Sequence, residues 1–181
     1  QGFLDQKRQK DPFKSLFIQV DAGAPRFKGP YEEVGLSKDM VTVWAPSVAD
    51  GLTAWKADLP GLMHLHDYIK NSGVKAVFID SYKGMLSGSG FEYRDNEQID
   101  LMCQFLREII AEPLGVSILL INHCGTAERN GAGAKRLSEV CASVWEIDEV
   151  KEAGKIVHDQ RTFKVWKDPI QGRRFTTYTY Q

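Results

Sequence analysis

Four short apolar runs lie along the chain, and each has the length of a β-strand. They are SLFIQV at 15–20, MVTVWAP at 40–46, VKAVFI at 74–79 and VSILLIN at 116–122. An apolar run of this length, bounded by turn residues, is typical of a buried strand. The sequence therefore predicts four strands, and the runs at 74–79 and 116–122 are apolar enough to be covered on both faces.

Helical periodicity separates these runs in two places. Apolar residues recur at helical spacing over 59–69, where Pro60 suits a first helical turn. Asp95 followed by Gln98 has the form of a capping box, and 113–115 (Pro-Leu-Gly) ends the helix that it starts. The residues predicted to share one face of this second helix are Ile99, Met102, Cys103, Leu106, Ile109 and Ile110.

The order of these elements indicates the fold class. A strand, a helix and a further strand in succession are typical of a βαβ unit in a parallel sheet, with a right-handed crossover. A short helix is predicted over 136–141, leading into a strand at 142–148. The tail then alternates with period two and has a turn at Gly172, which predicts antiparallel strands at the edge of the sheet. We therefore expect an α/β fold with an antiparallel end.

Composition narrows the class of protein but says little about its partners. With 181 residues, 43% of them hydrophobic, one domain is the expectation. Lys plus Arg (23) nearly balance Asp plus Glu (24), so bulk charge does not point to nucleic acid or membrane. There is no membrane-length apolar run, no signal-peptide pattern and no C-x-x-C spacing among three cysteines. We expect a soluble, cytoplasmic protein with reduced thiols.

Three polar residues follow three of the predicted strands. Asp21 comes after the first run, Asp80 after the third and His123 after the fourth. A carboxylate costs several kcal/mol to desolvate without a partner, so its place after a buried strand needs a reason. Each residue alone is as well explained by a turn or a cap, but parallel strands bring their carboxyl ends to one edge, where ligands bind. Two acids and an imidazole there could hold a divalent cation, a water molecule and a phosphate.

The sequence around Asp80 resembles a known family. VKAVFIDS resembles the Walker B strand of RecA-like P-loop ATPases. NEQIDLMCQFLREIIAEPLGVSILLINHCGTAERNGAGAKRL resembles the helix, strand and polar loop that follow it in hexameric replicative helicases of the RepA type. The resemblance spans roughly residues 14–170. It implies a single RecA-like domain over 1–181, an α/β three-layer core with a mainly parallel central sheet flanked by helices and with antiparallel C-terminal strands.

The resemblance also implies roles at the strand ends, with ATP and Mg²⁺ as cofactors. Asp80 would bind the Mg²⁺ of Mg·ATP through water, beside Ser81. His123 would sense the γ-phosphate or the attacking water. Asp21 stands where the family usually has a glutamate that polarises water, and its side chain is one methylene shorter.

Two further groups of basic residues acquire roles from the resemblance. Arg129, Lys135 and Arg136 would face single-stranded DNA in the channel of a homo-oligomeric, hexameric ring. The candidates for contacting a neighbouring subunit's nucleotide are Lys167, Arg173 and Arg174. The family's Lys-x-Arg spacing is not kept here, because Lys167 is followed by Asp-Pro.

The phosphate-binding P-loop pattern G-x-x-x-x-G-K-[ST] does not occur in these residues. GAGAKRL at 131–137 comes nearest, but it follows a polar loop and its Lys is not followed by Ser or Thr. Because the chain begins with Gln and QGFLDQKRQK resembles the end of the P-loop helix, we expect the motif upstream of residue 1. The other explanation is loss of nucleotide binding, and both predict weak or absent ATP hydrolysis by this chain alone.

Three functions stay open at this point. The first is a RecA-like ATPase core that couples ATP hydrolysis to single-stranded DNA binding or translocation in replication or recombination. The second is a non-catalytic RecA-like module that binds DNA or protein. The third is an unrelated metal-dependent hydrolase that uses Asp21, Asp80 and His123 directly.

Overall fold

The computed structural model describes residues 13–21, 39–47, 53–92, 95–123, 132–152, 155–167 and 176–180. The chain divides into two compact units, Gln1–Ala134 and Lys135–Gln181, and each is described by itself. The single RecA-like domain over 1–181 stays a prediction.

The described part of the first unit contains a parallel sheet of four strands. They are β1 (Lys14–Gln19), β2 (Val41–Trp44), β3 (Val74–Asp80) and β4 (Ser117–Ile121), in the spatial order β2-β1-β3-β4. All three neighbouring pairs are parallel. The four apolar runs are thus confirmed as strands, and the predicted parallel sheet is confirmed with them.

Burial is deepest in the two inner strands. The aliphatic residues of β1 and β3 with almost no exposed surface are Leu16, Ile18, Val74, Val77 and Ile79. The residues of β4 are less buried than its composition predicts, since four are half-buried and Ser117 is exposed. The reason is its place in the sheet, because within the described strands β4 pairs on one side only.

The first helix, α1 (Leu59–Ser72), follows the predicted pattern. Asp58 caps it by accepting a 2.8 Å hydrogen bond from the backbone N–H of Gly61, and Pro60 lies in its first turn. It ends at Gly73, whose φ of 74° is left-handed and suits glycine. Its buried residues are Leu62, Leu65 and Ile69.

A short helix, α2 (Tyr82–Leu86), lies directly after β3 and was not predicted. It buries Tyr82, Met85 and Leu86. The Gly/Ser-rich composition of 84–95 favours a loop, but Ser81 caps these five residues and their apolar side chains are covered.

The next helix, α3 (Asn96–Phe105), begins with the predicted cap. The Asp95 carboxylate accepts from the backbone N–H groups of Glu97 and Gln98 at 2.9 and 3.2 Å. The reciprocal half differs from a standard capping box. The Gln98 side-chain oxygen accepts from the backbone N–H of Glu92, and its amide nitrogen donates to Asp95.

After α3 the helix becomes π-helical, and one residue predicted to be buried is exposed. Leu106–Ala111 is π-helical, and α4 (Glu112–Leu114) ends at left-handed Gly115. A π-turn holds more residues than an α-turn, so a step of three from buried Leu106 carries Ile109 off the apolar face. Ile109 is accordingly 48% exposed, whereas Ile110 is fully buried. Placing Ile109 on the buried face was wrong.

The second unit contains an antiparallel sheet with the order β5-β6-β7. Its strands are β5 (Val144–Glu152), β6 (Lys155–Lys167) and β7 (Thr176–Tyr180), and the helix α5 (Ala132–Val140) precedes them in the chain. The antiparallel pairing predicted from period two is confirmed. Its predicted place at the edge of the parallel sheet is wrong, because the described strands hydrogen-bond in a separate sheet. Gly172 lies outside the described residues.

No helix in the described part of the chain is long and apolar enough to cross a membrane.

Candidate functional site

The site is built on one row of residues across three parallel strands. Gln19, the last residue of β1, is in register with Asp80, the last residue of β3, and Asp80 is in register with Ile121 of β4. Asp21 and His123 each lie two residues beyond the outer members of this row. Because side chains alternate along a strand, a step of two returns to the same side of the sheet.

Asp80 and His123 are joined by a hydrogen bond. His123 Nε2 lies 2.9 Å from Asp80 Oδ1. The Asp80 side chain is 17% exposed and the His123 side chain 70% exposed. The carboxylate is therefore set back in the structure, and the imidazole stands over it toward solvent.

Gln19 holds the other side of the Asp80 carboxylate. Its Nε2 donates to Asp80 Oδ2 at 3.1 Å, and its Oε1 accepts from the backbone N–H of Asp21 at 2.9 Å. Gln19 is only 4% exposed. One buried amide thus connects the carboxylate of Asp80 to the backbone of Asp21.

Asp21, Asp80 and His123 come close enough to share a ligand. One donor atom from each lies within 4.8 Å of the other two. Carboxylate oxygens suit hard cations such as Mg²⁺, whereas an imidazole nitrogen suits Zn²⁺ and other transition metals. The predicted proximity of these three residues is confirmed, and their catalytic roles stay predictions.

The helix α2 forms another wall of the site. Ser81, buried at 3% exposure, caps it by accepting from the backbone N–H of Gly84 at 3.1 Å. The peptide bond between Asp80 and Ser81 is cis. A methyl group on Gly84 would overlap the carboxylate of Asp21 and the side chain of Val20. Glycine at this position therefore lets α2 approach the Asp21 side chain.

The ends of the parallel strands and α2 border an open cleft of about 410 Å³. It is lined by Asp21, Ser81, Lys83, Gly84, Ser87 and His123. Its lining thus offers carboxylate, imidazole, hydroxyl and ammonium groups, a set that could hold a cation and an anionic ligand together.

The roles of the remaining predicted site residues stay predictions. Arg136 lies in α5 and forms a 3.1 Å ion pair with Glu139 of the same helix. Lys135 in α5 and Lys167 in β6 have side chains that the structure does not describe. Outside the described residues lie Arg129, Arg173 and Arg174.

Sequence reasoning missed Gln19, Lys83, Gly84 and Ser87. Gln19 was detectable in principle as a polar residue near the end of an apolar run, two positions before Asp21. Gly84 was detectable as the third residue after a capping serine. Lys83 and Ser87 carry no such signal, because their positions depend on the unpredicted α2.

The architecture is similar to that of two solved structures. A KaiC-like protein, PH0186 from Pyrococcus horikoshii OT3, matches with a TM-score of 0.66 at 14% identity, covering 99% of this chain and 76% of that one. The RadB recombinase matches with a TM-score of 0.57 at 13% identity, covering 93% and 75%. This chain has a RecA-like fold.

Sequence comparison adds no closer relationship. No protein-family model matches the chain, and no curated protein matches it either. At these low identities the RecA-like fold is what the two structures share with this chain. Within that fold, Asp80 lies at the end of an inner strand of the parallel sheet, where the resemblance to a Walker B strand predicted it.

Proposed function

We propose that this chain is the core of a RecA-like ATPase of DNA replication or recombination. The observation that carries the proposal is the contact between Asp80 and His123 at the carboxyl edge of the parallel sheet. In open α/β sheets this edge is where ligands bind. A RecA-like fold and a carboxylate–imidazole pair at that edge together support nucleotide chemistry over the other functions considered.

The donor groups present fit a Mg²⁺-bound phosphate. Asp80 offers a mostly buried carboxylate to the cation, directly or through water, and Ser81 lies beside it. Mg²⁺ usually keeps several of its waters and binds one or two carboxylates together with substrate phosphates. When bound, the cation would neutralise charge that develops on the phosphates.

The other side chains take complementary roles in this proposal. Asp21 is exposed on the cleft and accepts a hydrogen bond from the water that attacks the phosphate. His123, held by Asp80, contacts the γ-phosphate or that water and passes its state to the loop that follows. Since Asp21 is shorter than the usual glutamate, the water is held less closely, and we expect slow hydrolysis.

The DNA-related part of the proposal rests on basic residues to which the resemblance gives roles. Arg129, Lys135 and Arg136 bind the phosphates of single-stranded DNA, which makes binding weaken with salt. In a homo-oligomeric ring, hexameric as in RepA-type helicases, Lys167 and Arg173 reach the nucleotide of a neighbouring subunit. The name of one structural neighbour, a recombinase, agrees with a role on DNA.

The test is ATP hydrolysis by the chain extended at its N-terminus with a P-loop strand, loop and helix. Hydrolysis is measured with and without single-stranded DNA, in the unchanged sequence and in Asp80→Asn. We expect DNA-stimulated hydrolysis that Asp80→Asn abolishes. Absence of stimulation, together with no effect of Asp80→Asn, would refute the ATPase proposal.

The second candidate, a non-catalytic DNA-binding module, is distinguished by a DNA-binding measurement with and without nucleotide. It requires DNA binding that does not depend on nucleotide and that is lost when Arg129, Lys135 and Arg136 are changed together. The third candidate, a metal hydrolase, is favoured by the 4.8 Å cluster of donors. It requires tight Mn²⁺ or Zn²⁺ binding in the absence of nucleotide.

A further inference from the structure

Gln19 is a buried polar residue with both ends of its amide engaged. The side-chain nitrogen donates to Asp80 and the side-chain oxygen accepts from the backbone of Asp21. Only 4% of the residue is exposed. A buried amide is costly unless it is paired, so these two bonds define one orientation of the Gln19 side chain.

The two oxygens of Asp80 are held from opposite sides. Oδ2 accepts from Gln19 and Oδ1 contacts Nε2 of His123. A carboxylate held at only one oxygen could rotate about its Cβ–Cγ bond, whereas one held at both keeps its plane. The Gln19 side-chain oxygen also accepts from the backbone N–H of Asp21, so one side chain connects the carboxylate of Asp80 to the backbone of Asp21.

We propose that Gln19 is a positioning residue that orients the Asp80 carboxylate for binding a divalent cation. The inference rests on the proposed function, because it takes Asp80 as the cation-binding group. It goes beyond that function by assigning a role to a residue that touches neither cation nor nucleotide. Residues that hydrogen-bond to a metal-binding group commonly change metal affinity by about 10- to 100-fold when they are altered.

A purely structural role is the competing explanation. Gln19 could do no more than satisfy the N–H of Asp21 and fill space at the end of β1. Its loss would then lower the free energy of unfolding and leave cation affinity unchanged. Affinity in a folded variant therefore separates the two roles.

The experiment measures Mn²⁺ affinity of the 181-residue chain by electron paramagnetic resonance, with Mn²⁺ as a probe for Mg²⁺. Without nucleotide the proposed ATPase site binds the cation weakly, because substrate phosphates supply part of its ligands, whereas tight binding would favour the metal hydrolase. Gln19→Met keeps the length of an unbranched side chain but removes its donor and acceptor. We expect Gln19→Met to bind Mn²⁺ about 10-fold or more weakly. Thermal unfolding, followed by circular dichroism, establishes that the variant is folded.

Ser15→Ala is the matched control. Ser15 is also on β1, is 1% exposed and, four residues before Gln19, points to the same face. Loss of this buried hydroxyl should lower the melting temperature without changing Mn²⁺ affinity. Equal losses of Mn²⁺ affinity in Ser15→Ala and Gln19→Met would overturn the inference. The loss would then follow from removing any buried polar group from β1.

Asp80→Asn separates this inference from the proposed function. If Asp80→Asn weakens Mn²⁺ binding and folded Gln19→Met does not, the positioning role is wrong and the cation site stands. If Asp80→Asn has no effect, the cation site itself is wrong and the role of Gln19 goes with it.

A measurement on the unchanged chain applies if Gln19→Met does not fold. The side-chain amide of Gln19 is followed in ¹H–¹⁵N spectra while Mg²⁺ is added. Because its nitrogen donates to Asp80, the resonance should move together with the backbone signals of Asp21 and His123. An amide signal that stays in place while those two move would contradict the inference.

Discussion

The two sheets of this protein use apolar residues in opposite ways. In the parallel sheet, Leu16 and Ile18 of β1 and Ile79 of β3 have no exposed surface. In the antiparallel sheet, Trp145 and Ile147 of β5 are 54% and 68% exposed. The strands with a continuous apolar stretch at their centre are thus covered here, and a strand that alternates leaves large apolar side chains exposed.

The difference extends to charged groups. Asp80 lies at the end of a covered strand and contacts an imidazole and a buried amide. Asp148 lies within β5 and pairs with Lys164 of β6 at 2.9 Å, diagonally across the strands. A carboxylate at the end of a parallel strand is available to a ligand, whereas one within an antiparallel ladder forms an ion pair with a side chain of the neighbouring strand. Matched substitutions in the two units test this contrast.

The largest expected effect concerns isoleucine in each sheet. Ile18→Ala should lower the free energy of unfolding by about 2–5 kcal/mol, because it removes a fully buried side chain and leaves a cavity. Ile147→Ala should cost less than about 1 kcal/mol, the range of strand propensity at an exposed position. Urea unfolding of both variants gives the comparison. Equal losses would mean that Ile147 is covered in solution.

The next effect concerns the two aspartates. Asp80→Asn should weaken Mn²⁺ binding by at least about 10-fold, roughly 1.4 kcal/mol, since it neutralises the proposed cation ligand. Asp148→Asn removes the same charge from the other sheet and should leave Mn²⁺ affinity unchanged. Electron paramagnetic resonance measures both. A similar loss in Asp148→Asn would indicate general electrostatic attraction in place of a defined site.

Gly84→Ala should affect both the site and stability. Alanine favours a helix over glycine by about 1 kcal/mol, and this offsets part of the roughly 1–3 kcal/mol expected from overpacking. The added methyl overlaps the Asp21 carboxylate, so we expect weaker Mn²⁺ binding together with a loss of at most about 2 kcal/mol in the free energy of unfolding.

Gly61→Ala in α1 is the control for this prediction. Its new methyl would overlap the backbone oxygen of Lys56, which cannot move as a side chain can. Gly61→Ala should therefore lower the melting temperature and leave Mn²⁺ affinity unchanged. If Gly84→Ala and Gly61→Ala both lose only stability, α2 does not set the position of Asp21.

The smallest effect concerns the Lys164–Asp148 ion pair. Partly exposed pairs of this kind contribute about 0.2–1 kcal/mol and are screened by salt. Lys164→Met should lower the free energy of unfolding within that range, and the difference from the unchanged protein should shrink as NaCl is added. A loss that is independent of salt would indicate that the lysine stem stabilises by packing instead.

The sequence was most informative where one local signal determined the outcome. Short, mainly apolar runs predicted β1 to β4, and the common direction of parallel strands then predicted that Asp21, Asp80 and His123 meet. The cap at Asp95 was predictable because the bonds it makes lie within three residues of it. The strands and the cap each depend on interactions among neighbouring residues, and the parallel direction of the strands is what the meeting of the three side chains adds.

The misses have causes that neighbouring positions do not contain. Periodicity shows which residues are apolar but not whether a backbone turn is α or π, so Ile109 was misplaced. Period-two alternation shows that β5 to β7 pair with one another but not which sheet they join, so their separate sheet was not predicted. Gln19 was overlooked because its partners, Asp80 and the backbone of Asp21, come together only when β1 and β3 align.

The stepped ends of the strands have a consequence for how the site can vary. Asp80 belongs to the sheet itself, whereas Asp21 and His123 are carried two residues past it on connecting segments. The position of Asp80 is thereby fixed by the hydrogen bonds of the sheet. Asp21 and His123 lie beyond those bonds, so substitutions at these two positions should cost little folding stability. Differences in reaction rate or ligand preference among proteins of this architecture would then arise from the segments beyond the strands, while the residue at the end of the inner strand stays the same.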